Sequence, residues 1–166
     1  ELIDGIYTAQ STFFTFFPFE FIHGNRKTAL KDRNSIALSE ETASQLFGNE
    51  NPMGKQVTYL NKLFVVRGVY RLNQNSSVVP SLVTTIIEDD LEKEKDKWSY
   101  NFGLMLKLKK QSDTTSIVKD LNAIFINNCL KVQANQEGLT VEKYIKKYGE
   151  PVKSSLLSLP NTRLYK

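Results

Sequence analysis

Residues 35–69 read SIALSEETASQLFGNENPMGKQVTYLNKLFVVRGV, and this stretch decides the fold. The apolar run at 36–38 predicts a short strand that leads directly into Ser39. The Ser39 side chain is a good helix N-cap, and the two glutamates that follow suit the positive end of a helix dipole. The helix is predicted to end at Gly48, because glycine readily adopts the backbone conformation found just after a helix.

The second half of the stretch predicts a turn and a hairpin. The sequence Asn51-Pro52-Met53-Gly54 combines residues that favour turns. Strands are predicted at 57–60 and 63–69, and the tight turn between them is predicted at Asn61-Lys62, where asparagine tolerates a positive φ. The stretch therefore predicts a domain that mixes strands and helices.

An aromatic segment lies upstream. Residues 13–21 read FFTFFPFEF and hold six of the ten phenylalanines in the chain. We predict one helical turn that is capped by Ser11 and stopped by the proline, followed by a short strand. The turn would place Phe13, Phe14 and Phe17 on one face. Such a dense cluster is more typical of a core than of a ligand site, and burial of each ring would stabilise the fold by ~1.5–3 kcal/mol.

More elements are predicted downstream. Residues 78–87 form an extended apolar run, and the charged run at 88–97 is typical of a solvated helix or loop. Alternation over 102–108 predicts a strand. Two amphipathic helices follow, one capped at Ser112-Asp113 and one beginning at Thr140. Their apolar stripes are Ile117, Leu121, Ile124 and Phe125 in the first and Val141, Tyr144, Ile145 and Tyr148 in the second. The predicted fold class is α+β.

Composition and charge exclude several classes of protein. The chain has 166 residues, 40% of them hydrophobic and 24% charged, which fits one globular domain or two small lobes. We expect a soluble segment, since no apolar window is long enough to cross a membrane and the first residues do not resemble a signal peptide. The net charge of +4 is spread along the chain, which argues against a nucleic-acid partner.

Few residues offer chemistry. The single histidine, His23, has no second His or Cys at metal-ligand spacing. A hydrolase could use His23 with a distant group such as Asp4 or Ser35, but no nucleophile motif accompanies it. Cys129 lies in a helical pattern and is expected to be a buried structural thiol. The residues themselves therefore predict no cofactor, no metal and no visible active site.

Two further patterns fail as functional motifs. Gly48 and Gly54-Lys55 superficially resemble a phosphate-binding loop, but the glycines are one residue too far apart and Gln56 replaces the required Ser or Thr. The adjacent carboxylates Asp89 and Asp90 lie in a run of mixed sign that neutralises itself.

Five motifs in order resemble the extracytoplasmic domain of MacB/FtsX-like ABC transporter permeases. They are the aromatic run at 12–24, the segments at 35–43 and 46–48, the turn at 51–55 and the strand at 64–69. The resemblance is firm over about 4–77 and looser over 100–128, and the tail at 156–165 resembles a link to a membrane helix. We predict folding roles for the motif residues: Phe13, Phe14, Phe17, Gly24, Leu46, Phe47, Gly48, Pro52, Gly54, Lys55, Gly68 and Val69.

The resemblance implies a two-lobed periplasmic domain. A strand-rich lobe at about 13–77 would be inserted into a membrane-proximal α/β lobe formed by about 1–12 and 78–166. The resemblance also implies that the domain is not an enzyme and binds no cofactor. Its implied place is the periplasmic side of an inner-membrane protein.

The partners implied by the resemblance act through the membrane or in the periplasm. They are a cytoplasmic ABC ATPase, a second permease copy, and a periplasmic adaptor or envelope protein. ATP hydrolysis would drive export or envelope work through mechanical motion of the domain. The alternative is a free-standing extracytoplasmic binding module, which would show an exposed aromatic patch at 13–21.

Overall fold

The computed structural model describes residues 3–72, 76–85, 104–151 and 153–159. The predicted charged run at 88–97, with Asp89 and Asp90, lies outside the described residues. The chain divides into two compact units, Glu1–Lys97 and Trp98–Lys166. None of the helices in the described ranges is both long and apolar enough to cross a membrane.

The first unit is built around one mixed sheet. Its elements in chain order are β1 (Ile6–Ala9), α1 (Phe13–Phe16), β2 (Glu20–Gly24), β3 (Ser35–Ser39), α2 (Glu40–Phe47), β4 (Gln56–Tyr59), β5 (Lys62–Arg71) and β6 (Leu82–Thr85). The strand order is β1-β6-β3-β5-β2, and β4 pairs with the first part of β5. The β1–β6 and β3–β5 pairs are parallel and the others are antiparallel. The predicted α+β class is confirmed.

The sheet joins segments that the sequence assigned to different lobes. β1 pairs with β6, and β6 pairs with β3 on its other side. Both expected lobe boundaries, near residues 12 and 77, therefore fall between strands of a single sheet. The β1–β6 pair lies within the segments expected to form the membrane-proximal lobe, and the β6–β3 pair joins them to the segment expected to form the strand-rich lobe.

A β-bulge in β5 decides which of its side chains face the same side. Ile36 of β3 lies opposite Val66, but the next residue of β3 lies opposite Gly68, so Arg67 is the extra residue. Alternation resumes after the bulge. Val66 and Val69 consequently lie in the same core although they are three residues apart, and Tyr70 lies in the other.

Each face of the sheet has its own core. The aromatic core contains Phe13, Phe14, Phe19, Ala29, Leu30, Ala37, Tyr70, Val78 and Val83. The aliphatic core, on the α2 side, contains Ile36, Leu38, Ala43, Phe64, Val66, Val69 and Leu82. β3 lies between them, and all five of its residues are buried. Such a strand reads as a continuous apolar run because both of its faces are covered.

The helix signals of the motif stretch are confirmed. The Ser39 Oγ accepts the Thr42 N–H at 3.1 Å, and α2 ends at Gly48, whose φ is 59°. Within α2, Ala43 is buried, whereas Leu46 is 38% exposed.

Two local predictions are wrong by one residue. The N-cap of α1 is Thr12, not Ser11, and its side chain makes no capping hydrogen bond. The backbone closes this turn instead, as the Phe13 N–H donates to the Gln10 carbonyl at 3.0 Å. The hairpin turn lies at Leu60-Asn61, with φ values of 47° and 58°, because the next residue already pairs with β4.

The regular elements of the second unit are helices within its described residues. It contains α3 (Thr114–Phe125), a π-helical turn (Ile126–Leu130), α4 (Lys131–Gln136) and α5 (Val141–Tyr148). Both predicted caps are confirmed, as Asp113 Oδ1 accepts the Thr115 N–H at 2.9 Å and Thr140 Oγ1 accepts the Lys143 N–H at 3.3 Å. Cys129 is buried, as predicted.

Two predictions for the second unit are wrong. Residues 104–108 form no strand, and the remainder of the predicted strand lies outside the described residues. Alternation selects a face for a strand but supplies no neighbour for its hydrogen bonds, so the pattern alone does not make one. On the apolar stripe of α3, Ile117, Leu121 and Phe125 are half-buried, but Ile124 is 51% exposed.

Candidate functional site

The motif residues converge on β5, which pairs with β2, β3 and β4. Gly68 and Val69 lie within this strand, and Gly24 lies opposite Gly68 in β2. Phe13 and Phe14 lie in the aromatic core together with Tyr70 of β5. The five motifs are thus brought together around one strand.

The turn after α2 is hydrogen-bonded to β5. The Gly54 N–H donates to the Val66 carbonyl at 2.9 Å, and the Val66 N–H donates to the Lys55 carbonyl at 2.9 Å. Pro52 is buried, and its carbonyl accepts the Lys55 N–H at 3.1 Å. A phosphate loop needs free backbone N–H groups. Here those of Gly54 and Lys55 are already engaged, in agreement with the failed motif.

Lys55 ties the end of α2 to this turn. Its ammonium group contacts the Glu50 carboxylate and lies 4.9 Å from the centroid of the Phe47 ring. The hydrogen bond from Lys55 lowers the pKa of Glu50. Phe47 itself is half-buried against the aliphatic core. The lysine of this motif therefore joins two structural elements.

Gly24 and Gly68 allow β2 and the aromatic core to lie close to β5. A Cβ at Gly68 would lie 2.5 Å from Cε1 of Phe21. A Cβ at Gly24 would lie 2.4 Å from the Arg67 carbonyl oxygen, and Gly24 has a φ of +81°. A side chain at either position would force its neighbour to shift, so the two glycines allow this close packing.

The phenylalanines of α1 form the centre of the aromatic core. Phe14 is fully buried, with ring centroids at 5.1 Å from Phe13, 4.8 Å from Phe21 and 5.0 Å from Tyr70. Phe17 is half-buried, and its centroid lies 5.1 Å from that of Phe13. Edge-to-face and tilted pairs at these distances each add to the burial energy. The predicted core role of the cluster agrees with this packing.

Tyr70 was missed by the sequence analysis. It is fully buried, and its hydroxyl donates to the Pro80 carbonyl at 2.7 Å. Burial raises the pKa of Tyr70, with a smaller contribution from Tyr7, so the phenol stays protonated. In the sequence, only the position of Tyr70 directly after the last motif residue points to its importance.

Arg71 was also missed. Its guanidinium contacts Glu20 at 3.2 Å and Glu40 at 3.0 Å, which joins β5 to β2 and to the first turn of α2. The hydrogen bond from Arg71 lowers the pKa of Glu40. All three groups are exposed, so this network is worth little stability by itself. The partners lie far apart in sequence, and no local pattern connects them.

The residues considered for a hydrolase are not brought together. His23 lies opposite Val69 of β5, and Ser35 lies opposite Val65 on the other side of that strand. Standard strand spacings put them about 13 Å apart along the sheet and about 10 Å apart across it. Asp4 precedes β1, at the opposite edge of the sheet from His23.

No reaction centre is visible among the described residues. The Ser35 hydroxyl is buried without a hydrogen-bond partner, so no base reaches it. Within the described ranges, no group of three or more His, Cys, Asp or Glu side chains is placed to hold a metal ion.

Residues 13–21 do not form the exposed aromatic patch that was expected of a free-standing binding module. Phe13, Phe14 and Phe19 are buried. The remaining phenylalanines of 13–21 are half-buried. Packing of these rings on one another and on Tyr70 uses the surface that an exposed aromatic patch would have offered.

In the second unit, one exposed cluster fastens the turn between α4 and α5. Glu137 accepts hydrogen bonds from Lys147 at 2.9 Å and from the Tyr148 hydroxyl at 2.9 Å. The hydrogen bond from Lys147 lowers the pKa of Glu137. The Lys147 ammonium also lies 4.7 Å from the Tyr148 ring centroid. The three side chains close a helical hairpin.

Comparison with known proteins gives one family. The model of the MacB-like periplasmic core domain matches residues 2–124. No curated protein matches the chain. The matched range includes all five motifs around β5.

Two solved structures are similar to the chain. A domain assigned to a permease protein from Porphyromonas gingivalis is 20% identical over 76% of this chain, with a TM-score of 0.55. The periplasmic region of MacB from Actinobacillus actinomycetemcomitans is 16% identical over 86% of this chain, with a TM-score of 0.44. The chain spans 55% and 64% of the length of these two proteins.

The family match agrees with the family that the motifs resemble. The P. gingivalis structure shares the fold, and the family match covers the β5 motifs and all but the last residue of α3. The chain belongs to the family of MacB-like periplasmic core domains of ABC transporter permeases.

Proposed function

We propose that this domain transmits movement within an ABC transporter permease and catalyses no reaction itself. A cytoplasmic ABC ATPase, separate or fused, hydrolyses ATP, and membrane helices of the permease carry the resulting motion to the domain. Two copies in a permease homodimer then close and open against each other. That motion acts on the exported substrate, or on a periplasmic adaptor or envelope protein.

The structural roles of the motif residues give this proposal its strongest support. They form glycine contacts, a turn and core packing around β5, and none is left as an exposed nucleophile, base or metal ligand among the described residues. A close-packed interior transmits displacement because it is hard to compress. The sheet with a core on each face is therefore suited to move as one body.

We also propose that the strand-rich lobe extends from β1 to β6. The β1–β6 pair ties the start of the described chain to residue 85, and β6 is held to β3. A lobe boundary after residue 85 leaves the whole sheet intact, whereas boundaries near 12 and 77 divide it. Limited proteolysis should then release a fragment that retains β1, and cleavage near 12 or 77 would contradict this boundary.

Distance measurement between two copies tests the mechanical proposal without knowledge of the substrate. Gln45 is exposed on α2, and Gln45→Cys provides a site for a spin label in the full permease assembled with its ATPase. Cys129 is buried, so the unsubstituted protein serves as the labelling control. Pulsed electron paramagnetic resonance would then compare the nucleotide-free complex with one trapped in the ATP-bound state.

The expected result is an inter-copy distance that differs between the two nucleotide states. A permease whose ATPase partner cannot bind ATP should show the nucleotide-free distance under both conditions. An unchanged distance in the active complex would refute coupling of ATP binding to domain motion. A signal without any inter-copy distance would refute pairing of the domains.

A further inference from the structure

Exposed apolar side chains are concentrated in the second unit. Among the described residues, fourteen large apolar side chains are exposed, and ten of them belong to this unit. Four of the ten lie within one stretch of five residues and are exposed by 70%, 41%, 43% and 40%: Leu104, Met105, Leu106 and Leu108. A contiguous exposed patch of this kind usually marks a contact with a protein or a membrane.

Lysines lie in the same stretch. Lys107, Lys109 and Lys110 are exposed, so residues 104–110 carry three positive charges and no negative one. Among the described residues, no carboxylate forms an ion pair with any of these three lysines. Residues 104–110 therefore form an apolar–basic segment, in which leucine and lysine alternate over 106–109.

The unit that contains the apolar–basic segment is basic as a whole. Trp98–Lys166 contains 11 Lys and Arg but 5 Asp and Glu, a net charge of +6. Glu1–Lys97 contains 11 Lys and Arg and 13 Asp and Glu, a net charge of −2. The unit that exposes most of the apolar side chains thus also carries the positive charge of the chain.

This composition suits a lipid surface better than a protein partner. A second copy would bring the same lysines, and like charges on facing segments repel. Interfaces with other proteins are enriched in aromatic residues and Arg and depleted in Lys, whereas the segment has no aromatic residue and no Arg. Apolar side chains beside lysines match an anionic bilayer, because the apolar groups enter the acyl boundary while the ammonium groups stay at the phosphates.

We propose that the apolar–basic segment inserts into the surface of an anionic lipid bilayer. Its leucines and methionine enter the boundary between headgroups and acyl chains, and its lysines contact the lipid phosphates. The contact does not depend on the movement proposed above, so either proposal can fail without the other.

A fluorescent label on the segment tests the proposal with the whole 166-residue chain. Met105→Cys carries a dye whose emission depends on the polarity around it. Gln45→Cys in α2 carries the same dye as the matched control, since both positions are exposed. Cys129 is buried, so the unsubstituted chain serves as the labelling control. Vesicles of phosphatidylcholine alone are compared with vesicles of equal parts phosphatidylcholine and phosphatidylglycerol.

We expect the emission to move to shorter wavelength only for the label at 105 and only with the anionic vesicles. An unshifted label at 105 on a chain that sediments with these vesicles would overturn the proposal. The same shift with phosphatidylcholine alone, or at both labels, would overturn it as well. A shift that appears without vesicles and is lost on dilution would assign the segment to contact with a second copy instead.

Two double variants test the contribution of the lysines. K109Q/K110Q removes two charges from the segment, and R26Q/K27Q removes the same charge from exposed positions of the first unit. Each lysine near an anionic surface contributes roughly fivefold, so K109Q/K110Q should weaken sedimentation with anionic vesicles by more than about tenfold. R26Q/K27Q should change it little. Equal losses in the two variants would attribute the binding to net charge and overturn the proposal.

A matched pair of leucines tests insertion. Leu104 in the segment is 70% exposed, and Leu60 in the first unit is 76% exposed. Leu104→Gln should weaken binding by about threefold to tenfold, the range for half-burial of a leucine side chain, and Leu60→Gln should have little effect. Circular dichroism checks that all variants fold. Unchanged binding of folded Leu104→Gln would refute insertion.

Discussion

Replacement of Gly68 by alanine tests whether the glycine is needed for the Phe21 ring. The added Cβ would lie 2.5 Å from Phe21 Cε1 and 3.2 Å from the Ala29 Cβ. The backbone itself permits alanine, since Gly68 does not have a positive φ. Any destabilisation should therefore come from the contacts of the added Cβ with the Phe21 ring and the Ala29 side chain.

The expected magnitude combines two opposing terms. Overpacking of this kind costs about 1–3 kcal/mol. Loss of glycine's freedom in the unfolded chain returns about 0.4–1 kcal/mol. Gly68→Ala should therefore lower the free energy of unfolding by about 0.5–2 kcal/mol. In a Phe21→Ala background, where the ring is gone, the same substitution should be neutral or stabilising.

Urea unfolding followed by circular dichroism measures the four proteins of this double-mutant cycle. Gly24→Ala is the matched control, because its Cβ would meet the Arg67 carbonyl at 2.4 Å and its φ is +81°. Removal of the Phe21 ring cannot relieve a clash with the backbone. Equal destabilisation by Gly68→Ala in both backgrounds would refute the role of the ring.

Two more predictions concern a buried hydroxyl and an exposed carboxylate. Tyr70→Phe should lower the free energy of unfolding by about 1–3 kcal/mol, since the Pro80 carbonyl loses its donor; unchanged urea unfolding would contradict this role. The folded-state pKa of Glu137 is lowered, so its contribution should be present above the ordinary carboxyl pKa and lost as pH falls through the lowered value. The protection factors of the amides in α4 and α5, that is, their exchange rates relative to the intrinsic rate at each pH, should thus fall at acid pH, and E137Q should remove that pH dependence; protection factors that respond identically in both proteins would refute it.

Elements with local causes could be predicted from the sequence. The caps at Ser39, Asp113 and Thr140 each need one side chain and a backbone N–H two or three residues later. The stop at Gly48 needs only a positive φ. Burial of the aromatic segment also followed from its density. In each case the signal and the contact lie within a few residues of each other.

What could not be predicted depends on neighbours distant in sequence. The pairing of β1 with β6 joins residues 76 positions apart, and the sequence of neither strand indicates which strand it pairs with. The bulge at Arg67 appears only when β3 is aligned with β5. Tyr70 owes its importance to Pro80 and to the rings packed on it. The strand predicted at 102–108 is absent over 104–108, the part that the structure describes, for the converse reason: its alternation carries no information about a partner strand.

Motif resemblance and functional specificity come from different parts of this molecule. The motifs identify the family because they build β5 and its surroundings, where a change of side chain disturbs packing on both faces of the sheet. Exposed groups such as Arg26 and Lys27 can change with little effect on stability, since surface substitutions usually matter by less than about 0.5 kcal/mol. Residues that choose a partner are therefore expected among exposed groups rather than around β5. It follows that R26Q/K27Q should leave urea unfolding nearly unaltered, whereas Gly68→Ala should lower the free energy of unfolding.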